Sequence, residues 1–187
     1  MYLNTPNPLG FEHPFRNSQA LGGPAAFGCS LVHGIGVEEG EDWPSLLGLY
    51  NSGRPGSSND RATRHAIEYI IEYKPEYICV MWSFPERREY ITKDGETVKY
   101  NPSRQQNFDY QWHKSLTLLS NEYYNLYNQS RNELLLRTFC DLHNVKIYEL
   151  NYSDCPIEGF SKGTDGMHPG PDWHEYVSKR YKKWTIK

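Results

Sequence analysis

Residues 25–36 read Ala25-Ala26-Phe27-Gly28-Cys29-Ser30-Leu31-Val32-His33-Gly34-Ile35-Gly36. The first three form a short apolar run, which is typical of the end of a buried strand. A turn loosened by glycine follows, and it places Ser30 between small residues. A serine in such a turn can hold its hydroxyl clear of the sheet and leave its own backbone N–H to donate to a developing oxyanion. Turn serines also commonly bond only the backbone, so this stretch by itself makes Ser30 a candidate nucleophile and nothing more.

The size and charge of the chain limit its class. Its 187 residues suffice for one domain with a substantial core and are too few for two ordinary domains. A net charge of −3 and a pI near 6.2 give no chain-wide basic field, so we expect no nucleic-acid partner. No apolar run approaches about 18 residues, and the N-terminus has no basic region followed by an apolar one. We therefore expect neither a membrane span nor a secretory signal.

The cysteines predict a reducing location. Four are present without CxxC spacing, and they lie in different local contexts: Cys29, Cys79, Cys140 and Cys155. Cys79 sits in an apolar run and Cys140 on an apolar helix face, which indicates buried, reduced thiols rather than a disulfide framework. The expected location is the cytoplasm or a virus particle.

The order of the predicted elements indicates an α/β fold. Residues 1–24, rich in Asn, Pro and Gly, read as an N-terminal extension or as an arm toward a protein partner. Asn59-Asp60 offers a helix cap, and the helix that it predicts ends at Lys74-Pro75. Tyr77-Ile78-Cys79-Val80-Met81-Trp82 is then a continuous apolar run of strand length. The helix has apolar residues at helical spacing, namely Ala62, Ala66, Ile67, Ile70 and Ile71. A helix followed by a buried strand predicts a crossover unit and a parallel sheet. We therefore predict a single domain over residues 25–187.

Two later segments have a predicted local structure. Residues 89–110 contain an Asp-Gly turn between two strand-like runs, so they predict a hairpin insertion, which is either a lid over the site or a plain surface hairpin. Residues 107–143 predict long helical material, broken near Asn128. Its apolar residues fall in two stripes that we expect to pack into the core: Leu116, Leu119, Tyr123 and Tyr127, and then Leu134, Leu135, Thr138, Phe139 and Leu142.

A second candidate motif lies just before the last predicted helix. Asp165 and His168 are three residues apart in a glycine-flanked loop that ends at Pro169. This spacing lets a carboxylate reach the imidazole Nδ1–H and leave Nε2 to face a nucleophile. Such a pair can equally well staple a loop. Ser30 would need a base of this kind, because a serine hydroxyl is unreactive near neutral pH.

Taken together, these blocks resemble the SGNH/GDSL-type serine hydrolases over most of the chain. Phe27-Gly28-Cys29-Ser30 is similar to the first block of that family, with Cys in place of the Asp of Gly-Asp-Ser. The run from Asn51 to Asn59 resembles the second block, and Asp165-Gly166-Met167-His168-Pro169 resembles the last. The resemblance implies a three-layer α/β/α sandwich with a mostly parallel, flavodoxin-like sheet. It also implies Ser30 as nucleophile, His168 as general base and acid, and Asp165 as the residue that orients His168.

The third block departs from the family pattern. The resemblance implies an oxyanion hole made by the N–H groups of Ser30 and Gly56, completed in the family by an Asn after the central strand. Here that strand continues into Ser83-Phe84-Pro85-Glu86-Arg87 without an Asn, so Ser83 or an inward-turned Asn59 is the candidate replacement. Loss of one oxyanion donor typically costs about 10²–10³ in kcat. This version of the block resembles phage and bacterial members of the family.

Two functions remain open at this stage. The first is an esterase that hydrolyses a small-molecule or carbohydrate ester, with acetylated sugars favoured slightly by the many aromatic residues. The second is a non-catalytic binding or structural module with the same fold, for example in a virus particle. No cofactor is implied, and His65, His113 and His143 have no matching acidic or cysteine partners, so we expect no metal site.

Overall fold

A computed structural model describes residues 21–91, 93–95, 97–102 and 110–185 of the chain. Within these residues the structure has six strands, six α-helices and one 3₁₀ turn (Tyr152–Asp154). In chain order they are β1 (Ala25–Phe27), α1 (Ser30–His33), α2 (Trp43–Leu46), β2 (Tyr50–Asn51), α3 (Asn59–Tyr73), β3 (Tyr77–Trp82), β4 (Arg88–Ile91), β5 (Thr97–Tyr100), α4 (Tyr110–Leu119), α5 (Glu122–His143), β6 (Lys146–Asn151) and α6 (Pro171–Thr185).

Four strands form a parallel sheet in the order β2-β1-β3-β6. Strand β3 is central and pairs with β6 over its whole length, from Tyr77 opposite Lys146 to Trp82 opposite Asn151. Counted along the chain, these strands run 2-1-3-4, which is the order of the first four strands of flavodoxin. The predicted α/β fold with a parallel sheet is confirmed.

Helices cover both faces of this sheet, because alternate residues of each strand point to opposite sides. One face packs against α2 and α6 and buries residues that include Ala26, Cys79, Met81, Trp43, Trp173, Val177 and Tyr181. The other packs against α3 and α5 and buries Ala25, Phe27, Ile78, Val80, Ala66, Tyr69, Ile70, Leu136 and Cys140, among others. The result is the three-layer α/β/α sandwich that the resemblance implies.

The predicted break near Asn128 is wrong. The helical segment is interrupted at Ser120 and Asn121, where the Asn121 side chain accepts a hydrogen bond from Tyr124 N and caps α5. Asn128 lies inside α5, is buried, and donates from Nδ2 to Asp60 Oδ1 at 2.8 Å. Because its polar side chain has this partner, Asn128 does not interrupt the helix.

The predicted burial of the apolar stripes on these helices is also wrong. Most of their large side chains are exposed, with Tyr123 at 87% and Leu142 at 74%; the others are Leu119, Tyr127, Leu134 and Leu135. Helix α5 instead buries Asn128, Asn132, Leu136 and Cys140, which recur every four residues. Asp60 on α3 accepts hydrogen bonds from both asparagines, so the inward face of α5 is polar in its first half and apolar in its second.

The remaining predictions on organisation are partly outside the described residues. Strands β4 and β5 pair antiparallel, with Glu89 opposite Lys99, so the Asp-Gly turn joins a hairpin. Residues 103–109 of the predicted insertion and residues 1–20 of the predicted extension lie outside the described residues, so the lid and the arm toward a protein partner stay predictions. All four cysteines are buried and free. None of the described helices combines the length and apolar character needed to cross a membrane.

Candidate active site

The candidate residues lie along one edge of the sheet. The parallel strands β1, β3 and β6 end at Phe27, Trp82 and Asn151, so the segments that follow them leave the sheet at the same side. Ser30 and Ser83 belong to these segments. In open α/β sheets this carboxyl edge is where binding sites form.

Ser30 is the first residue of α1, directly after a tight turn. Gly28 adopts φ of 153°, and a Cβ added to it would lie 2.7 Å from Met81 O and 2.5 Å from Val32 Cγ2. The turn therefore requires glycine, because a side chain would collide with strand β3. Within the described residues neither the Ser30 hydroxyl nor its backbone N–H makes a hydrogen bond, so both are available to a ligand.

A buried polar network fixes the helix that carries Ser30. Asn51 donates from Nδ2 to Val32 O at 2.9 Å and to Asp42 Oδ1 at 2.8 Å, and its Oδ1 accepts from Gly53 N at 2.9 Å. A Cβ on Gly53 would lie 2.4 Å from His33 N, so the loop after β2 packs directly on α1. Sequence analysis missed this network. The sequence signal for the network is weak, because Asp42 follows an acidic stretch that looks solvent-facing. In the structure Asp42 is completely buried.

The same loop presents Gly56, the second predicted oxyanion donor. Arg54 N donates to Gly28 O at 3.0 Å, which holds the loop beside the Ser30 turn. Gly56 has φ of +70°, and a Cβ on it would meet no atom within 4 Å. Its N–H makes no hydrogen bond within the described residues. Gly56 therefore stands at an open position near the turn, which suits a backbone donor to a ligand.

Ser83 and Asn59 bind each other. Asn59 accepts from Ser83 N at 2.7 Å through Oδ1 and donates from Nδ2 to Ser83 O at 3.2 Å. The Ser83 hydroxyl accepts from Arg87 Nη1 at 3.1 Å, and both Ser83 and Asn59 are buried. Asn59 thus ties the start of α3 to the end of β3. These contacts leave both residues less available as oxyanion donors than Ser30 and Gly56.

Asp165 and His168 form a pair in an exposed loop. His168 Nδ1 lies 2.5 Å from Asp165 Oδ2, while Asp165 Oδ1 accepts from the backbone N–H groups of Met167 and His168 at 3.0 Å each. The hydrogen bond from His168 is the main cause that lowers the pKa of Asp165 to about 2. Asp165 is therefore ionised near neutral pH. With a proton on Nδ1, the neutral imidazole carries its lone pair on Nε2.

The loop that carries this pair closes on itself. Gly163 N donates to His168 O at 2.8 Å, and Gly170 N donates to Ser161 O at 2.7 Å. Asp172, at the start of α6, accepts from Ser161 N at 3.0 Å and so anchors the loop to that helix. Local hydrogen bonds therefore set the geometry of the Asp–His pair.

Gly36 brings the two halves of the site into contact. It follows α1 closely, and its carbonyl accepts from Thr164 N at 2.8 Å. A Cβ on Gly36 would lie 3.0 Å from Asp165 Oδ1 and 3.5 Å from His168 Cβ. The Asp–His loop thus packs on the segment after Ser30. No hydrogen bond joins Ser30 to His168 here, and in ligand-free enzymes such contacts are often long and tighten when substrate binds.

The described residues contain no group of three or more His, Cys, Asp or Glu side chains arranged to hold a metal ion. The chemistry that the arrangement can supply is acid–base and nucleophilic: a hydroxyl, an imidazole oriented by a carboxylate, and two backbone donors.

Comparison with known proteins gives similarity in structure only. No family model and no curated protein matches the sequence. A protein assigned to the lipolytic G-D-S-L family from Desulfitobacterium hafniense is 12% identical, with a TM-score of 0.44, covering 86% of this chain and 98% of that one. The esterase EstA from a Pseudoalteromonas species is 15% identical, with a TM-score of 0.44 and coverages of 89% and 100%. A family 3 carbohydrate esterase from Clostridium thermocellum is 12% identical, with a TM-score of 0.45 and coverages of 88% and 94%. Similarities of this size transfer neither a residue role nor a substrate.

Proposed function

We propose that this chain is a serine ester hydrolase of the SGNH/GDSL type that acts through an acyl-enzyme on Ser30. The observation that carries the proposal is the packing of the Asp165–His168 pair against the segment that follows Ser30, at the carboxyl edge of a parallel sheet. A turn serine or an Asp–His pair is common by itself. Their placement on two loops in contact is a condition for the imidazole to reach the hydroxyl.

In the proposed reaction Ser30 Oγ attacks the ester carbonyl carbon while His168 Nε2 takes the hydroxyl proton. The alcohol leaves with that proton, and the acyl group stays on Ser30. Water then attacks the acyl-enzyme as His168 takes a proton from it, and the acid is released as Ser30 regains its proton. Asp165 holds the imidazole in the required tautomer and stabilises the imidazolium.

The oxyanion is assigned to the N–H groups of Ser30 and Gly56. Both donors are without a hydrogen-bond partner within the described residues, which supports this assignment. Ser83 and Asn59 already bind each other and Arg87, so we give them the task of holding the loop after β3. With no third donor, the turnover we expect is about 10²–10³ below that of a complete oxyanion hole.

For the substrate we propose a carboxylic ester, with acetylated carbohydrates as the first class to test. Phe84 follows β3 and Tyr152 follows β6, and their ring centroids lie 4.2 Å apart at the carboxyl edge. Both side chains are partly exposed. A ring surface at this position suits the apolar face of a sugar.

The test is labelling by a fluorophosphonate probe, followed by hydrolysis of para-nitrophenyl acetate. We expect wild-type protein to be labelled and active, and we expect Ser30→Ala to lose both while its thermal unfolding midpoint is unchanged. Ser153→Ala, at an exposed serine of the 3₁₀ turn, is the matched control and should behave as wild type. Folded wild-type protein that is neither labelled nor active would overturn the proposal and leave a non-catalytic binding module with this fold.

A further inference from the structure

Four basic residues lie near the loop after β2. We call them the basic cluster: Arg54, Arg61, Arg64 and Lys99. Arg61 and Arg64 are three residues apart on α3 and therefore lie side by side. Lys99 is directly opposite Glu89 in the β4–β5 hairpin, so both side chains share one face of it. Glu89 reaches Arg64, with Arg64 Nε to Glu89 Oε1 at 2.8 Å, so that face points toward α3.

Arg64, one member of the cluster, pairs with two carboxylates. Arg64 bonds Glu89 through Nε and Nη2 and also bonds Glu68 at 3.1 Å. Within the described residues no carboxylate lies at ion-pairing distance from Arg61 or from Lys99. The Nε of Arg61 is buried and has no hydrogen-bond partner among the residues that the structure describes. A buried cationic donor without a partner is costly, which indicates that an anion completes it.

The electrostatics agree with this arrangement. Burial lowers the pKa of Lys99 most, and the charges of Arg61 and Arg54 lower it further. Burial, followed by the surrounding arginines and Lys99, lowers the pKa of His65 to about 3. Partly buried positive charges that repel each other attract an anion more strongly than exposed ones, because the solvent screens them less.

The cluster begins at the edge of the Ser30 turn. Arg54 N donates to Gly28 O, two residues before Ser30, and Gly56 follows Arg54 by two residues. The charge of Arg54 acts on Arg61, Lys99 and the buried His65, so this loop and the α3–β5 face belong to one field. Arg54 therefore connects the cluster with the loop that carries the proposed oxyanion donor Gly56.

We propose that Arg61 and Lys99, next to the loop that carries Arg54 and Gly56, form an anion subsite that binds a carboxylate, phosphate or sulfate group carried by the ester substrate. Arginine and lysine both bind such oxyanions, and the charge assistance strengthens each hydrogen bond. The proposal rests on the ester hydrolysis proposed above and narrows it to anionic esters. It assigns the Arg64–Glu89 pair to holding the hairpin on α3.

The first arm of the test measures binding without catalysis. Isothermal titration of wild-type protein with inorganic phosphate, with sulfate and with succinate, at constant ionic strength, should show saturable binding of at least one anion. Arg61→Gln and Lys99→Gln should each weaken that binding about tenfold or more. Lys183→Gln, at an exposed position on α6, is the control and should bind as wild type does. The anion that binds tightest identifies the group. Absence of saturable binding to folded wild-type protein, or equal binding by Arg61→Gln, would overturn the subsite.

The second arm links the subsite to the reaction. We compare kcat/KM for mono-para-nitrophenyl succinate, whose acyl part carries a carboxylate, with kcat/KM for para-nitrophenyl acetate. Wild-type protein should prefer the anionic ester, and Arg61→Gln should reduce the ratio about tenfold or more, mainly through KM. A ratio that Arg61→Gln leaves unchanged would overturn the link to substrate. If neither ester is hydrolysed, the esterase proposal fails, and the titrations still decide whether the anion subsite exists.

Discussion

The loop that carries Ser30 and the loop that carries Asp165 and His168 meet at Gly36, but different interactions hold them. The Ser30 turn is fixed by close contact with strand β3 and by the buried Asn51 network. The Asp–His loop is exposed and is held by short-range hydrogen bonds of its own.

This difference separates the effects of mutation in the two loops. Ser30 follows a strand and is held by the sheet, so substitutions around it are expected to lower stability first. An Asp–His pair in a self-contained exposed loop can be altered while the core stays intact, so damage there should appear first as lost activity. Four experiments, in order of decreasing effect, test this contrast.

The largest effect is expected from Asp165→Asn on activity. An asparagine can keep the backbone hydrogen bonds of Oδ1, but its amide NH₂ would then face His168 Nδ1 and favour the tautomer with its proton on Nε2. We expect kcat on para-nitrophenyl acetate to fall about 10³–10⁴-fold, while the free energy of unfolding in urea stays close to that of wild type.

The matched control for that change is Asp172→Asn. Asp172 is also exposed and also accepts hydrogen bonds in this region, from Ser161 N and Oγ, but it does not contact His168. It should retain most of the activity. Equal losses in the two variants would mean that loop anchoring, rather than orientation of the imidazole, explains the effect of Asp165.

The next largest effect is expected from Gly53→Ala on stability. The new Cβ would lie 2.4 Å from His33 N and 2.7 Å from Val32 C, both backbone atoms of α1 that cannot rotate away. We expect a loss of about 3 kcal/mol or more, measured by urea unfolding. Gly40→Ala is the comparison, because its φ of +91° carries strain but its Cβ would meet nothing within 4 Å. A left-handed alanine by itself lowers the free energy of unfolding by about 1–2 kcal/mol. If both variants lose only that much, close packing on α1 is not what fixes the Ser30 turn.

A smaller loss is expected from Asn51→Ala. The change removes one donor from the Asp42 carboxylate, which is fully buried, and also frees Val32 O and Gly53 N. We expect the free energy of unfolding to fall by about 2–3 kcal/mol. Ser45→Ala removes a different and less buried donor to Asp42 and should cost less. An Asn51→Ala protein as stable as wild type would show that the network does not hold the turn.

The parts of the molecule that sequence predicts are those with local signals. Three signals can each be recognised within a few residues: the run before Gly28, the buried strand from Tyr77 to Trp82, and the Asp165–His168 spacing. Together they predicted the parallel sheet and both candidate loops. Gly56 was placed by resemblance and lies where a backbone donor is open.

The parts that sequence could not predict depend on contacts between distant segments. Helix α5 has apolar residues at helical spacing, such as Tyr123 and Leu134, yet these are exposed. Asp60, on α3, accepts hydrogen bonds from Asn128 and Asn132, and this partner decides which face turns inward. Asp42 and Asn51 are similar: each looks like a surface or turn residue until the fold brings them together.

The smallest expected effect is the dependence of stability on pH through Asp165. Its folded-state pKa is lowered to about 2, mainly by the hydrogen bond from His168. A carboxyl whose pKa is lowered by folding adds stability above its unfolded pKa of about 3.9 and loses it as the pH falls through the folded value. The stability difference between wild type and Asp165→Asn should therefore be constant above about pH 5 and shrink between about pH 4 and pH 2. Because the loop is exposed, the change should be small.

Carbon-detected NMR titration of the Asp165 carboxyl provides the direct check. A midpoint near the ordinary value would show that His168 does not hold the carboxylate. The proposed mechanism would then lack the oriented imidazole on which it depends.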